Sequence, residues 1–468
     1  MQVGVIRARL GNISTENNKK AMKIYLWITL VVFFLGQKKC HSQSNRIDNW
    51  KVDIEFLKKE LPKKHIDLFY KLDKKTFENE LNEIINNIPN LTDVQITIKL
   101  QQLIVKVGDT HTNVRWQPFI RTYRDKGLVK VGFQSYYFQD GLYIIEARNR
   151  NSQAVGKKIK GVNGVSLTVV MDSLKTMFVN ENEALSKLEI ASLIPNHQLL
   201  NHFGFTPFID KRYFTIELVD TLGKEIHHRL NLNGDKLFSP YSSSLKLIYG
   251  ETKGSFYDRW FVDYHDTINH VYLIQYNKCY SKELAIRDNI FLDKVDLLPS
   301  FEDFEEIVIQ TIENDSISKF IFDLRYNGGG SSSQGTQLIN RLSEIEKLNN
   351  NQKIFVLIGR ETFSSATLNA IDFKKKTDAV FVGEDTKGKP SHFGEVRELI
   401  LPNTKLRVGY STKYFYHGKD KSKTYFSKRG IRKINDDRST IQPDYYIELT
   451  FKDFVNQIDP VYKWVMGK

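Results

Sequence analysis

Cysteine is almost absent from this chain: there are two in 468 residues, Cys40 and Cys279. Cys40 lies in a leader-like segment, so the remaining chain carries one thiol, which excludes an intrachain disulfide even in an oxidising compartment. The fold must therefore stand on its apolar core. Also missing is an apolar run of the roughly 18 residues that a membrane-spanning helix needs. The candidate at residues 24–36 has 13. There is no internal repeat and no low-complexity tract. With 41% hydrophobic and 26% charged residues, the composition is globular and the length suits two or three domains.

The short apolar run has the pattern of a secretory signal. From Met22, Lys23 gives a positive start, residues 24–36 the apolar stretch, and Cys40-His41-Ser42 the small residues of a cleavage site. Signal 22–43 then follows an upstream extension, 1–21, and the mature chain is expected to begin near Gln43, in the periplasm or outside the cell. The formal charge of +13 falls to +7 without residues 1–43. The basic residues left are interspersed with acidic ones, as in Lys374-Lys375-Lys376 before Asp378, which reads as a solvated surface and argues against a nucleic-acid partner.

Periodicity divides the rest. Residues 50–87 and 93–107 repeat at helical spacing, and residues 128–235 hold short strands broken by glycines, with a helical stretch at 167–178. Residues 234–253 are polar and serine-rich, as in a linker. From residue 269 onward buried strand-like runs at 271–276, 320–324, 354–358 and 379–382 alternate with helical ones, the cadence of an α/β core.

Three segments in this core carry chemistry. Strand 320–324 runs through Arg325 into Tyr326-Asn327-Gly328-Gly329-Gly330, a turn that presents N–H groups to an anion. The Lys-Ser/Thr of a P-loop and the spacing of a dinucleotide-binding turn are both missing. Strand 354–358 leads to Gly359-Arg360-Glu361-Thr362-Phe363-Ser364-Ser365 and then a helix, which places Ser364 either as an exposed nucleophile or as a helix N-cap. The third segment is Val382-Gly383-Glu384-Asp385-Thr386-Lys387-Gly388-Lys389.

Together these segments resemble the S41 peptidases, the tail-specific or carboxyl-terminal processing proteases, whose core carries D-L-R-x-N-x-G-G, T-x-S-A/S and V-G-E-x-T-x-G-K. Lys389 stands 25 positions after Ser364, the spacing of that family's Ser–Lys dyad, and Asp109-Thr110-His111-Thr112 is similar to its D-x-H-T segment. The resemblance implies an α/β fold with a crotonase/ClpP-like S41 catalytic core at 261–468, an N-terminal helical domain at 44–116, a degenerate PDZ-like module at 128–235 and a linker at 236–260. Two family positions differ: the glutamate three residues after the nucleophile is Thr367, and the assisting aspartate falls on Lys375. The PDZ carboxylate-binding loop is absent.

The implied reaction is hydrolysis of peptide bonds in protein or peptide substrates, with Ser364 as nucleophile and Ser365 and Gly329 or Gly330 as oxyanion donors. Two bases compete. Lys389 matches the dyad spacing, but lysine needs its pKa lowered from near 10.4. His111, from the early segment, would work with an acid before Pro443-Asp444, where Asp437 stands; its reference pKa near 6.5 predicts activity rising between about pH 6 and 7.5. Neither a cofactor nor a metal is implied, since Asp109 and His111 have no third ligand at recognisable spacing. A peptide-binding protein that does not cut, and an esterase using the same serine, are the alternatives.

Overall fold

The computed structural model describes residues 45–116, 132–206, 213–231, 237–238, 259–349, 353–417, 430 and 440–468. The leader-like segment 1–43, most of the linker and Asp437 lie outside the described residues. Among those described, no helix is long and apolar enough to cross a membrane.

The chain starts with helix α1 (45–64), whose buried Trp50, Ile54, Leu57 and Leu61 recur at helical spacing. Helix α2 (Lys74–Asn87) is capped by Asp73, and α3 (Asp93–Val105) by a reciprocal Thr92 and Gln95 capping box. Strand β1 (Asn113–Val114) begins two residues after His111.

An antiparallel sheet comes next: β2 (Phe133–Phe138), β3 (Gly141–Arg148), β4 (Lys158–Val162), β5 (Val165–Ser166), β6 (Tyr213–Val219), β7 (Glu225–Asn231) and β8 (Leu237–Phe238). Its order is β2-β3-β4-β6-β7, with β5 on β4 and β8 on β3. Strand β6 alternates half-buried and buried residues, as a one-sided strand should. Helix α4 (Glu183–Leu193) adds Leu185, Ile190 and Leu193 to the apolar cluster that this sheet shares with α1, α2 and α3.

The third part is a six-stranded sheet, built in chain order from β9 (Phe261–Asp266), β10 (Val271–Tyr276), helix α5 (Phe301–Asn314), β11 (Lys319–Asp323), α6 (Ser333–Glu344), β12 (Ile354–Ile358), α7 (Ser365–Lys376) and β13 (Val380–Gly383). A hairpin of β14 (His392–Ile400) and β15 (Arg407–Phe415), strand β16 (Tyr445–Tyr446) and helix α8 (Pro460–Met466) complete the chain. The sheet order is β16-β13-β12-β11-β10-β9, parallel except for β9. Strands β10 and β12 are buried throughout, because α5, α6 and α7 cover one face through Tyr272, Ile274, Phe320, Phe322 and Val356, while α8 covers the other through Val271, Leu273, Ile321 and Leu357.

The β14–β15 hairpin does not join this sheet. It pairs with β1, Asn113 opposite Gly409 and Val114 opposite Val408, and its Leu399, Leu406 and Val408 enter the amino-terminal apolar cluster. Thr112 Oγ1 accepts the Ser411 N–H at 3.2 Å. This brace carries the Asp109–Thr112 segment to the segment that follows Lys389.

Candidate active site

In open parallel sheets, sites form at the carboxyl ends of the strands. The three sequence segments leave β11, β12 and β13 there, and backbone hydrogen bonds tie them together: Phe363 N–H donates to Asn327 O at 3.0 Å, Lys387 N–H to Thr362 O at 3.0 Å, and Ser365 Oγ to Gly330 O at 2.7 Å.

Ser364 lies between β12 and α7 with φ 53° and ψ −121°, a conformation that costs a non-glycine residue about 1–3 kcal/mol. It occupies the N-cap position, yet its side chain makes no cap hydrogen bond, so capping does not account for a serine there. Asn327 shapes the facing turn. Its Oδ1 accepts the Gly329 N–H at 2.9 Å and its Nδ2 donates to Tyr276 O at 2.7 Å. The Gly329 N–H is thereby committed, whereas the amides of Gly330 and Ser365 have no acceptor among the described residues. A Cβ on Gly329 would stand 2.9 Å from Ser364 Cβ and 3.1 Å from the Ser365 nitrogen, which locates this glycine against the serine turn.

His111 reaches the same place from the other half of the molecule. Its ring stacks on Phe363, the residue before Ser364, with centroids 4.5 Å apart and planes 17° apart. Both ring nitrogens are buried with no hydrogen-bond partner among the described residues, and no bond joins them to Ser364. Burial, opposed by the Asp109 carboxylate and assisted by His392, Lys387 and Arg115, brings the imidazole down to about 4. Asp109 is itself buried, a condition that would raise it, but His65 at 3.1 Å and Thr112 at 2.5 Å hold its carboxyl near 2. Its Oδ1 accepts the His111 N–H at 2.8 Å. Asp109 thus fixes the His111 backbone rather than its ring.

Lys389 and His111 line one small cavity with Glu181, Phe363 and His392. The backbone of Lys389 donates to Glu181 and accepts from His392 Nδ1 at 3.0 Å. Burial raises the Glu181 carboxyl, with Thr110 and Lys389 opposing. A second cavity lined by His111, of about 460 Å³, opens among Trp116, Met177, Phe178, Leu193 and Val396, with Lys387 and Glu189 paired at 2.7 Å in its wall. At the two departing family positions, Thr367 is buried in α7 and Lys375 is exposed at its end.

Several motif residues hold the scaffold instead. Arg325 pairs with Asp323 and Asp459, both at 2.8 Å. Arg360 lies between Glu384 at 2.5 Å and Glu448 at 2.8 Å, donates to Tyr137 O at 2.6 Å, and Lys187 completes the group at 2.8 Å from Glu448. Removing one member of a buried ionic group strands its partners, at about 3–5 kcal/mol. Arg360→Met is therefore expected to lower the unfolding free energy by that amount in urea titrations. A loss below about 1 kcal/mol would mean that the network is solvated.

No family model matches the chain, and no curated protein matches it in sequence. Solved structures do. Mature CPAF in complex with lactacystin is 14% identical, with a TM-score of 0.56 over 90% of this chain and 97% of that one. A second structure of mature CPAF is 14% identical, with a TM-score of 0.54 over 90% and 96%. The photosystem II D1 C-terminal processing protease is 12% identical, with a TM-score of 0.35 over 85% and 93%. The chain has the fold of CPAF, in agreement with the S41 resemblance of its three motifs.

Proposed function

We propose that this chain is an exported serine endopeptidase of the S41 type, and that it hydrolyses peptide bonds in protein or peptide substrates through an acyl-enzyme on Ser364. One observation carries the reading: a serine in a strained strand-to-helix turn, its hydroxyl not used for capping, precedes the unengaged Ser365 amide, packs against the Gly329 turn, and follows a phenylalanine on which a buried imidazole is stacked. Ser364 Oγ attacks the carbonyl carbon and His111 takes its proton. The N–H groups of Gly330 and Ser365 stabilise the oxyanion, and His111 returns the proton to the leaving amine. Water then reverses these steps on the ester. Asp437 is the proposed acid partner of His111. The α/β core is read as crotonase-like and residues 128–235 as a degenerate PDZ-like module.

The test is to incubate the mature chain with an unstructured protein and, separately, with a simple aryl ester, and to read products by mass spectrometry. New peptide termini that accumulate with enzyme concentration are expected. Ester cleavage without peptide cleavage would establish an esterase, and neither would leave a binder. Export has its own test, since the native chain should begin near Gln43.

The oxyanion assignment selects its own substitution. A Cβ on Gly330 would meet Cys279 O at 2.1 Å, so any change there disturbs the fold. Gly329→Ala has a smaller conflict: at φ 95° its methyl would stand 2.9 Å from Phe363 O and Ser364 Cβ and 3.1 Å from the Ser365 nitrogen, so the displacement falls on the serine turn itself. It is expected to lower kcat much more than it raises KM, by about 2.7–4 kcal/mol of transition-state stabilisation if one donor is displaced. An effect confined to KM would move this turn into substrate binding.

A further inference from the structure

A catalytic imidazole has to be held in one plane, and hydrogen bonds to its ring nitrogens usually do this. Among the described residues His111 has none. It has rings instead. Phe363 lies on it at 4.5 Å and His392 at 5.3 Å, each with its plane within 17°. Phe363 and His392 make no ring contact with each other, so each packs on the imidazole separately. Both outer rings are themselves fixed. His392 Nδ1–H donates to the carbonyls of Lys389 and Pro390, both at 3.0 Å, and its ring also meets Phe415 at 5.6 Å. Phe363 is capped by Lys387 at 5.3 Å, whose ammonium is anchored by Glu189 at 2.7 Å.

We propose that Phe363 and His392 are positioning residues that clamp the His111 imidazole by stacking, so that the residue preceding the nucleophile sets the plane of the base. This rests on the reading of His111 as the base. The geometry divides the work. Stacking fixes the ring plane but leaves the half-turn flip about Cβ–Cγ, which exchanges the two ring nitrogens and which a hydrogen bond to an acid would settle. The clamp also helps to dry the imidazole, whose ring nitrogens are buried beside these two rings. The charged and titratable groups around it are Asp109, which favours the imidazolium, and His392, Lys387 and Arg115, which oppose it; Glu181 and Lys389 share the adjoining cavity.

The experiment compares Phe363→Leu, Phe363→Tyr, His392→Ala and His392→Phe with the parent chain. Phe363→Leu, which keeps apolar bulk but loses the flat face, is expected to lower kcat by roughly 10²-fold with little change in KM, as for a misplaced catalytic group. Its acid limb in kcat/KM should move up toward the ordinary imidazole value. Phe363→Tyr and His392→Phe, which keep a ring, should each lose much less than Phe363→Leu and His392→Ala. A second readout does not need activity: in the Ser364→Ala background, the His111 imidazole is followed by NMR titration, its signal identified by its loss in His111→Gln. Phe363→Leu should raise that pKa by about one unit or more. No NMR shift would overturn the clamp. An NMR shift with kcat unchanged would overturn the positioning role, and if His111→Ala were then also active, the assignment of the base would be what had failed.

Discussion

Ser364→Ala is expected to lower kcat by about 10⁶-fold, the scale on which a lone nucleophile matters when its partners work as one unit. The folded state should hardly notice. The hydroxyl makes no cap bond, and alanine inherits the same positive φ, so unfolding free energies should agree within about 0.5 kcal/mol. Ser364→Gly separates chemistry from strain. It is equally inactive, but glycine tolerates φ 53° without a Cβ clash, and it should be more stable than the parent by about 1 kcal/mol. A hydroxyl that holds the helix together would give the reverse pattern, with both variants active and both destabilised.

The second large effect belongs to the base. His111→Ala is expected to lower kcat/KM by about 10²–10⁴-fold or more, the range of general acid–base catalysis, whereas Lys389→Ala should cost far less. Full activity in His111→Ala with a dead Lys389→Ala would establish the Ser–Lys dyad. The pH profile carries independent information. The imidazole must be neutral to accept the serine proton. Its ordinary pKa places the rise in kcat/KM at about pH 6 to 7.5, but burial brings it to about 4 in the folded chain, so the acid limb should lie near pH 4. The same shift has a sign for stability. Between about 6.5 and 4 the unfolded chain binds more protons at this residue than the folded chain does, so its contribution to stability is present above the unfolded value and is lost as the pH falls toward 4.

Much of the core was legible in the chain. The runs at 271–276 and 354–358 coincide with β10 and β12, because strands buried on both faces show as unbroken apolar segments. The junctions after β11 and β12 were legible for the same reason: glycines and serines mark where buried strands stop. The β14–β15 hairpin was not legible. It is half exposed and polar, and its role lies in pairing with β1, almost 300 residues away, which no local pattern announces. Nor was the surrounding of His111. Phe363 stood inside the serine motif, yet its stacking on a residue 252 positions earlier comes from that hairpin and from tertiary packing. The pH expectation for His111 followed from a reference value, and burial moved it. Arg360 and Glu384, both within the motifs, are separated by 24 residues and joined only through the strand order.

The most direct test of a nucleophilic Ser364 is a covalent one. The chain from Gln43 onward is treated with a fluorophosphonate, digested, and mapped by tandem mass spectrometry, with the Ser364→Ala and His111→Ala chains alongside. One phosphonyl adduct is expected, on the peptide that holds Ser364, absent from Ser364→Ala and formed much more slowly on His111→Ala. An adduct on another serine, or none on a chain that still hydrolyses peptides, would contradict it.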